Sequence, residues 1–130
     1  MAPLEPSVLA SLRSGKQTTL ELWGVGLQLN DASQLASALK ANGTLTALEI
    51  GGNKALGDPG VSTLAPGLRE VRALRVLGLD GVAMGDAGGK ELAAALRAGL
   101  PLTCLKLQHN CLADATALAI AAAIRSAAEE

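Results

Sequence analysis

A single feature restricts this chain more than any other: its apolar residues repeat in register. Leu20, Leu48, Leu77 and Leu105 are 28, 29 and 28 residues apart. Leu22, Ile50, Leu79 and Leu107 keep the same spacing. Leu27, Leu56, Met84 and Leu112 form a third column. Leu35, Leu64, Leu92 and Ile120 form a fourth, and Leu39, Leu68, Leu96 and Ile124 a fifth. Five columns held through four units are the signature of a repeat architecture.

Each unit changes period once. The first two columns are two residues apart, as on a strand. The last two are four apart, as on a helix. Each unit is therefore expected to be a short strand followed by a helix. Asp58, Asp86 and Asp114 stand where an N-cap belongs, with Asn30 or Asp31 in the first unit. Pro59 suits a first helical position. Gly43 and Gly99 read as helix stops. Pro66 falls inside the second repeat's helix and is expected to kink or shorten it.

One strand–helix unit cannot bury its apolar face, whereas stacked units share a continuous core. The expectation is an α/β solenoid with one parallel inner sheet and outer helices. Residues 1–130 form one domain, with an N-terminal helical cap in 1–16 and repeats at 17–44, 45–73, 74–101 and 102–130. The cap rests on Pro6–Arg13, which reads as a half repeat. No equivalent cap is expected after the fourth repeat. Arg125–Glu130 brings three charges and no bulky apolar lid. That edge is left open to self-association or an assembly contact.

Composition narrows the function. The chain has 130 residues, 49% of them hydrophobic, with one Trp and no Phe or Tyr. A core of Leu, Ala, Val and Ile is available, but ring platforms for stacking bases are not. Eleven basic and twelve acidic residues leave a formal charge of −1. No basic stripe is present to neutralise phosphates, so no nucleic-acid partner is expected. Two Cys do not make a disulfide framework. The Met1–Pro6 start has neither the basic nor the apolar run of a signal peptide. The apolar stretch Ala115–Ile124 is too short to span a bilayer. These features lead to the expectation of a reduced, soluble, cytoplasmic chain with no membrane partner.

The segment LTALEIGGNKALGDPG, residues 45–60, resembles a ribonuclease-inhibitor-type leucine-rich repeat, L-x-x-L-x-L-x-x-N-x-x-L-G-D-x-G. LTCLKLQHNCL, residues 102–112, resembles the family's L-x-x-L-x-L-x-x-N-x-L pattern without departure. Val25 and Val82 stand where Asn53 and Asn110 stand in the other two repeats. That resembles the two alternating repeat types of this family, which includes the sensor ends of NOD-like receptors. The resemblance covers residues 7–128 and implies a right-handed strand–helix horseshoe segment. It also implies that Asn53 and Asn110 bond backbone groups at the turn after the strand, where buried amides need partners. Proteins with such repeats include cytosolic ribonuclease inhibitors, tropomodulin-like actin binders and Ran GTPase activators. Most bind proteins, and the fold alone selects none of these roles.

No catalytic constellation stands out. Cys104, His109 and Cys111 are close in sequence, but a metal site wants a fourth ligand, and there is no C-x-x-C. They read as surface and turn residues. Gly85–Lys90 fails as a phosphate loop, because Met84 and Glu91 replace the required Gly and Ser or Thr. The only His is His109, and no carboxylate is placed by the repeat to orient it. No enzyme activity, metal or cofactor is expected.

What remains is the concave face. Its columns are Thr19, Ala47, Val76 and Cys104; Glu21, Glu49, Gly78 and Lys106; Trp23, Gly51, Asp80 and Gln108; and Gly24, Gly52, Gly81 and His109. The centre reads as bare backbone, with the larger groups at the two ends. The candidate partner-binding residues are Glu21, Trp23, Glu49, Asp80, Lys106, Gln108 and His109, with Trp23 the one hot-spot type among them. Four strands of about three residues, spaced about 4.8 Å, give a strip of only ~200 Å². A standard interface takes about 800 Å² per partner. The expected function is therefore a non-enzymatic protein-interaction module that uses the concave sheet together with its adjoining turns. The alternative is a structural subunit or fragment of a larger assembly, docking through the fourth repeat.

Overall fold

The computed structural model describes residues 4–129, with side chains described through residue 124. The chain alternates helix and strand. Helix α1 is Pro6–Arg13, then come β1 (Thr19–Glu21), α2 (Leu29–Lys40), β2 (Ala47–Glu49), α3 (Gly57–Leu68), β3 (Val76–Gly78), α4 (Asp86–Arg97), β4 (Cys104–Lys106) and α5 (Asp114–Glu129). The four strands form one parallel sheet in chain order. Leu20, Leu48, Leu77 and Leu105 pair in register across it. The period that marks the sequence is thus the register of the sheet.

The five apolar columns build the core. Leu48, Leu77, Ile50, Leu79, Leu35, Leu64, Leu92, Leu39 and Leu68 are all fully buried. Leu9 and Leu12 of α1 join the same cluster, so this helix closes the first layer. The fourth layer differs: Leu102, Leu105, Leu107, Leu112 and Ile124 are only partly buried against the core. The closing residues Arg125–Glu130, whose lack of a lid is a sequence expectation, lie outside the described side chains.

Helix starts depart from expectation in an instructive way. Asp58 is the second residue of α3, and Asp86 and Asp114 open α4 and α5. Leu56 and Gly85 hold the N-cap positions of α3 and α4, and neither makes a side-chain cap bond. The Asp58 carboxylate instead reaches the next repeat. It accepts hydrogen bonds from the amides of Gly85 (2.7 Å) and Gly88 (2.8 Å). Asp86 does the same with the Ala113 amide at 2.9 Å. Each carboxylate satisfies orphan amides at the start of its neighbour's helix, where the dipole favours negative charge. Asp31, by contrast, serves its own helix. It is the third residue of α2 and accepts from the amide of the cap residue Gln28.

Four further positions bear on the helix ends. Gly99 does end α4, at φ +100°. Gly43 is not in the left-handed region; the backbone amides of Ala41 and Asn42 close α2, and the Asn42 side chain ties the following turn to the preceding repeat. That side chain donates to the Leu12 and Gln17 carbonyls and accepts from the Thr44 and Leu45 amides. Pro66 does not shorten its helix, since α3 has the same 12 residues as α2 and α4. It sits in the last turn, where a single missing amide bond is the main loss. Pro59 is the third helical residue, not the first, and its missing amide is still one of the helix's orphans.

Candidate functional site: the concave face and its turns

After each strand the chain turns sharply. Gly24, Gly52, Gly81 and His109 occupy the same place in the four turns, with φ of +63°, +72°, +62° and +61°. Three repeats use Gly, which adopts this conformation without a steric penalty. The fourth uses His109, which bears that strain itself.

Asn53 and Asn110 hold the turns. The buried Asn53 accepts from the amides of Gly26 and Leu27 and donates to the carbonyls of Leu22, Ile50 and Gly51. Asn110 accepts from Val82 and Met84 and donates to Leu79 and Leu107. Each Asn thus fastens its own repeat to the preceding one, whose turn carries Val25 or Val82. The alternation of Asn and Val marks a pairing of repeats, first with second and third with fourth. Asp58 joins the two pairs.

Two side-chain straps cross the concave face. The Lys106 ammonium lies 2.9 Å from Glu49 Oε1, spanning β4 to β2 over Gly78 of β3. A side chain on Gly78 would collide with the Glu49 carboxylate. The Trp23 indole Nε1 donates to Asp80 Oδ2 at 3.3 Å, spanning the first and third repeats over the second. A side chain on Gly51 would collide with the Asp80 carboxylate. A methyl group on Gly52 would lie 3.0–3.1 Å from three indole carbons, so the ring lies face-down on that turn. The central glycines, which the sequence presents as bare backbone, are the floor on which long side chains lie.

The candidate residues therefore divide. Trp23 with Asp80, and Glu49 with Lys106, are brought together in pairs, each 57 residues apart. The sequence places Lys106 at the opposite end from Glu49; the structure joins them, because a Lys stem spans two strand spacings when nothing stands between. Glu21 is exposed beside Glu49, its register partner. Gln108 and His109 are exposed in the fourth turn. Among the described residues Glu21, Gln108 and His109 make no side-chain hydrogen bond. Trp23 is 62% exposed, with one face on Gly52 and the other open. A sequence signal for the straps existed: each joins two polar-ended side chains of one column, two repeats apart, with Gly between, and in Glu49 and Lys106 the charges are opposite.

Electrostatics follow these contacts. Glu49 raises the Lys106 pKa above its ordinary value, by hydrogen bonding and then by charge. The Ala113 amide, and after it the Thr116 hydroxyl, lowers that of Asp86. Asp80 Oδ1 is buried without a hydrogen-bond partner, alone in this among the described residues. Cys104 and Cys111 are free and exposed. Among the described residues no group of three or more His, Cys, Asp or Glu is placed to hold a metal ion. No described helix is long and apolar enough to cross a membrane.

A parallel sheet in chain order, one strand and one helix per 28–29 residues, and Asn-held turns together define an α/β leucine-rich-repeat solenoid. Comparison with known proteins agrees. Residues 41–65 and 101–121 match the family model described as "Leucine Rich repeat". These segments carry the two turn asparagines, Asn53 and Asn110. No curated protein matches significantly by sequence. Among solved structures, the chain is similar to leiomodin-1 actin-binding site 2. The TM-score is 0.80 at 16% identity, over 95% of this chain and 75% of that one. That likeness is one of fold.

Proposed function

We propose that this chain is a non-enzymatic protein-interaction module that binds a protein through the concave sheet face and the turns beside it. The observation that carries this is Trp23, held flat on Gly52 with its outer face in solvent. Exposing an aromatic face costs hydration free energy, and fixing it beforehand lowers the entropy lost on binding. Glu21, Asp80, Gln108 and His109 flank the same surface and supply its polar rim. The solved neighbour is by its title an actin-binding site, which supports a protein partner in general. Alternating Asn and Val turns support the ribonuclease-inhibitor-like subtype. The repeat boundaries 17–44, 45–73, 74–101 and 102–130 are part of the same proposal.

Site-specific photo-crosslinking tests it. A photoreactive residue at Thr19 or Gln108 should capture the native partner. The same residue at Ser37 or Glu91, on the helical side, should not. Equal capture from both sides would overturn the proposal.

A second reading has its own observation, the half-buried leucines of the fourth layer. Leu105 and Leu107 are partly open where Leu77 and Leu79 are sealed, and Leu118 on α5 is 68% exposed. Leu22, Ile50 and Leu79 each donate an amide to the next strand or turn. The Leu107 amide holds the corresponding place just after β4. Docking at this edge predicts self-association in sedimentation equilibrium near ~100 μM, in the weak range of affinities. Leu102→Lys should abolish it, and a strictly monomeric protein would count against this reading.

A further inference from the structure

Resting on the concave-face reading, we infer that the Trp23 platform receives a basic side chain of the partner, an arginine in an extended segment. Four observations lead there. First, the indole is flat and one-sided: Gly52 backs one face, and the other is open. An exposed ring face attracts a cation through its quadrupole, and a guanidinium stacks on it. Second, the ring N–H donates to the Asp80 carboxylate. That bond pushes electron density into the ring and strengthens its hold on a cation. The other oxygen of Asp80 has no hydrogen-bond partner, so its charge is only partly compensated.

Third, Glu21 ends β1 two residues before Trp23, which stands in the turn that follows, and it is exposed and without a side-chain hydrogen bond among the described residues. A guanidinium stacked on the ring is within reach of this carboxylate, which it can bind with two parallel N–H donors. Fourth, the face already holds a cation of its own. Lys106 occupies Glu49, the acid next to Glu21 in the sheet register. This intramolecular pair shows that the face takes a basic side chain lying flat over glycine. The chain has filled one such place and left the neighbouring one open. Across the candidate positions three acids meet one fixed base, so the surplus charge is negative. A single ring argues for arginine over a quaternary ammonium, which needs a cage of several aromatics; the chain has no Phe or Tyr.

The test uses the full chain and a synthetic peptide of alternating Gly and Arg. Acidic Gly–Glu and neutral Gly–Ser peptides are the controls. Trp23, the only tryptophan, reports binding by its own fluorescence. The Arg peptide should change the emission and lose affinity as salt rises, because the attraction is partly screened. Glu21→Gln should weaken binding about tenfold, as loss of one charge-assisted bidentate contact does. Lys106→Met should tighten it severalfold by releasing Glu49. Both positions are exposed, so the variants should fold, which circular dichroism verifies. Equal response to all three peptides, or no effect of Glu21→Gln, would overturn the inference. The crosslinking result is separate: a partner captured at Thr19 through a segment without Arg or Lys sinks this inference and leaves the interaction module standing.

Discussion

The two ends of the solenoid are built from one repeat yet finished differently. At the N-terminal end, α1 lays Leu9 and Leu12 over the first layer, and Leu20 and Leu22 are buried. At the other end, the equivalent Leu105 and Leu107 are half-buried. The turns differ in parallel. The first pair of repeats is locked by a buried Asn53, the second by a half-buried Asn110. A solenoid is stabilised by nearest-neighbour contacts. A residue in a middle layer has neighbours on both sides, and one in the last described layer has them on one. The same sequence motif therefore contributes unequally along the molecule.

The largest test of this contrast is a matched pair of core truncations. Leu77→Ala should destabilise by about 2–5 kcal/mol in chemical denaturation. Leu105→Ala, one strand on in the same column, should cost about half as much, because less buried area is lost. Equal losses would mean that the fourth layer is as closed as the third.

Next come the turn asparagines. Asn53→Ala leaves amides of the first repeat and carbonyls of the first two without partners, and should cost about 3 kcal/mol. Asn110→Ala should cost about 1 kcal/mol, since water reaches its half-exposed partners. Native-state hydrogen exchange sharpens this without mutation. Amides bonded across β2 and β3 should exchange by global opening, and those of β4 and the start of α5 through a cheaper local opening.

The strained turn gives a smaller effect of opposite sign. His109→Gly should stabilise the fourth repeat by about 1 kcal/mol, because a left-handed conformation costs a non-glycine residue roughly that much. No gain would mean that the imidazole makes a compensating contact.

The smallest effect is electrostatic. Asp86 has a lowered pKa in the folded chain, so its contribution is present above the unfolded value. It is lost as pH falls through the folded one. Acid should loosen the joint between the third and fourth repeats, and Asp86→Asn should flatten that part of the acid profile. The Lys106–Glu49 pair runs the other way at its basic end. The raised Lys106 pKa makes its contribution full below the unfolded value and lost as pH rises through the folded one. Alkaline titration should therefore free Glu49, and Lys106→Met should remove that step.

The fold is legible in the sequence, and the reason is redundancy. Period 2 and period 4 columns, each written four times, fix strand, helix and register together, so a slip in one repeat would break its match with the next. Asn53 and Asn110 were legible through the turn pattern, and Glu21, Trp23, Glu49 and Asp80 through their columns. What the repeat could not disclose are the side-chain contacts between different repeats. Asp58 and Asp86 read as caps of their own helices but serve the next ones, because stacking brings a neighbour's orphan amides closer than their own. Gly51, Gly52 and Gly78 read as empty, yet their emptiness lets Asp80, Trp23 and Glu49 lie flat. Sequence lists which side chains share a face; only the tertiary structure, which sets strand spacing and the clearance above each glycine, decides which of them meet.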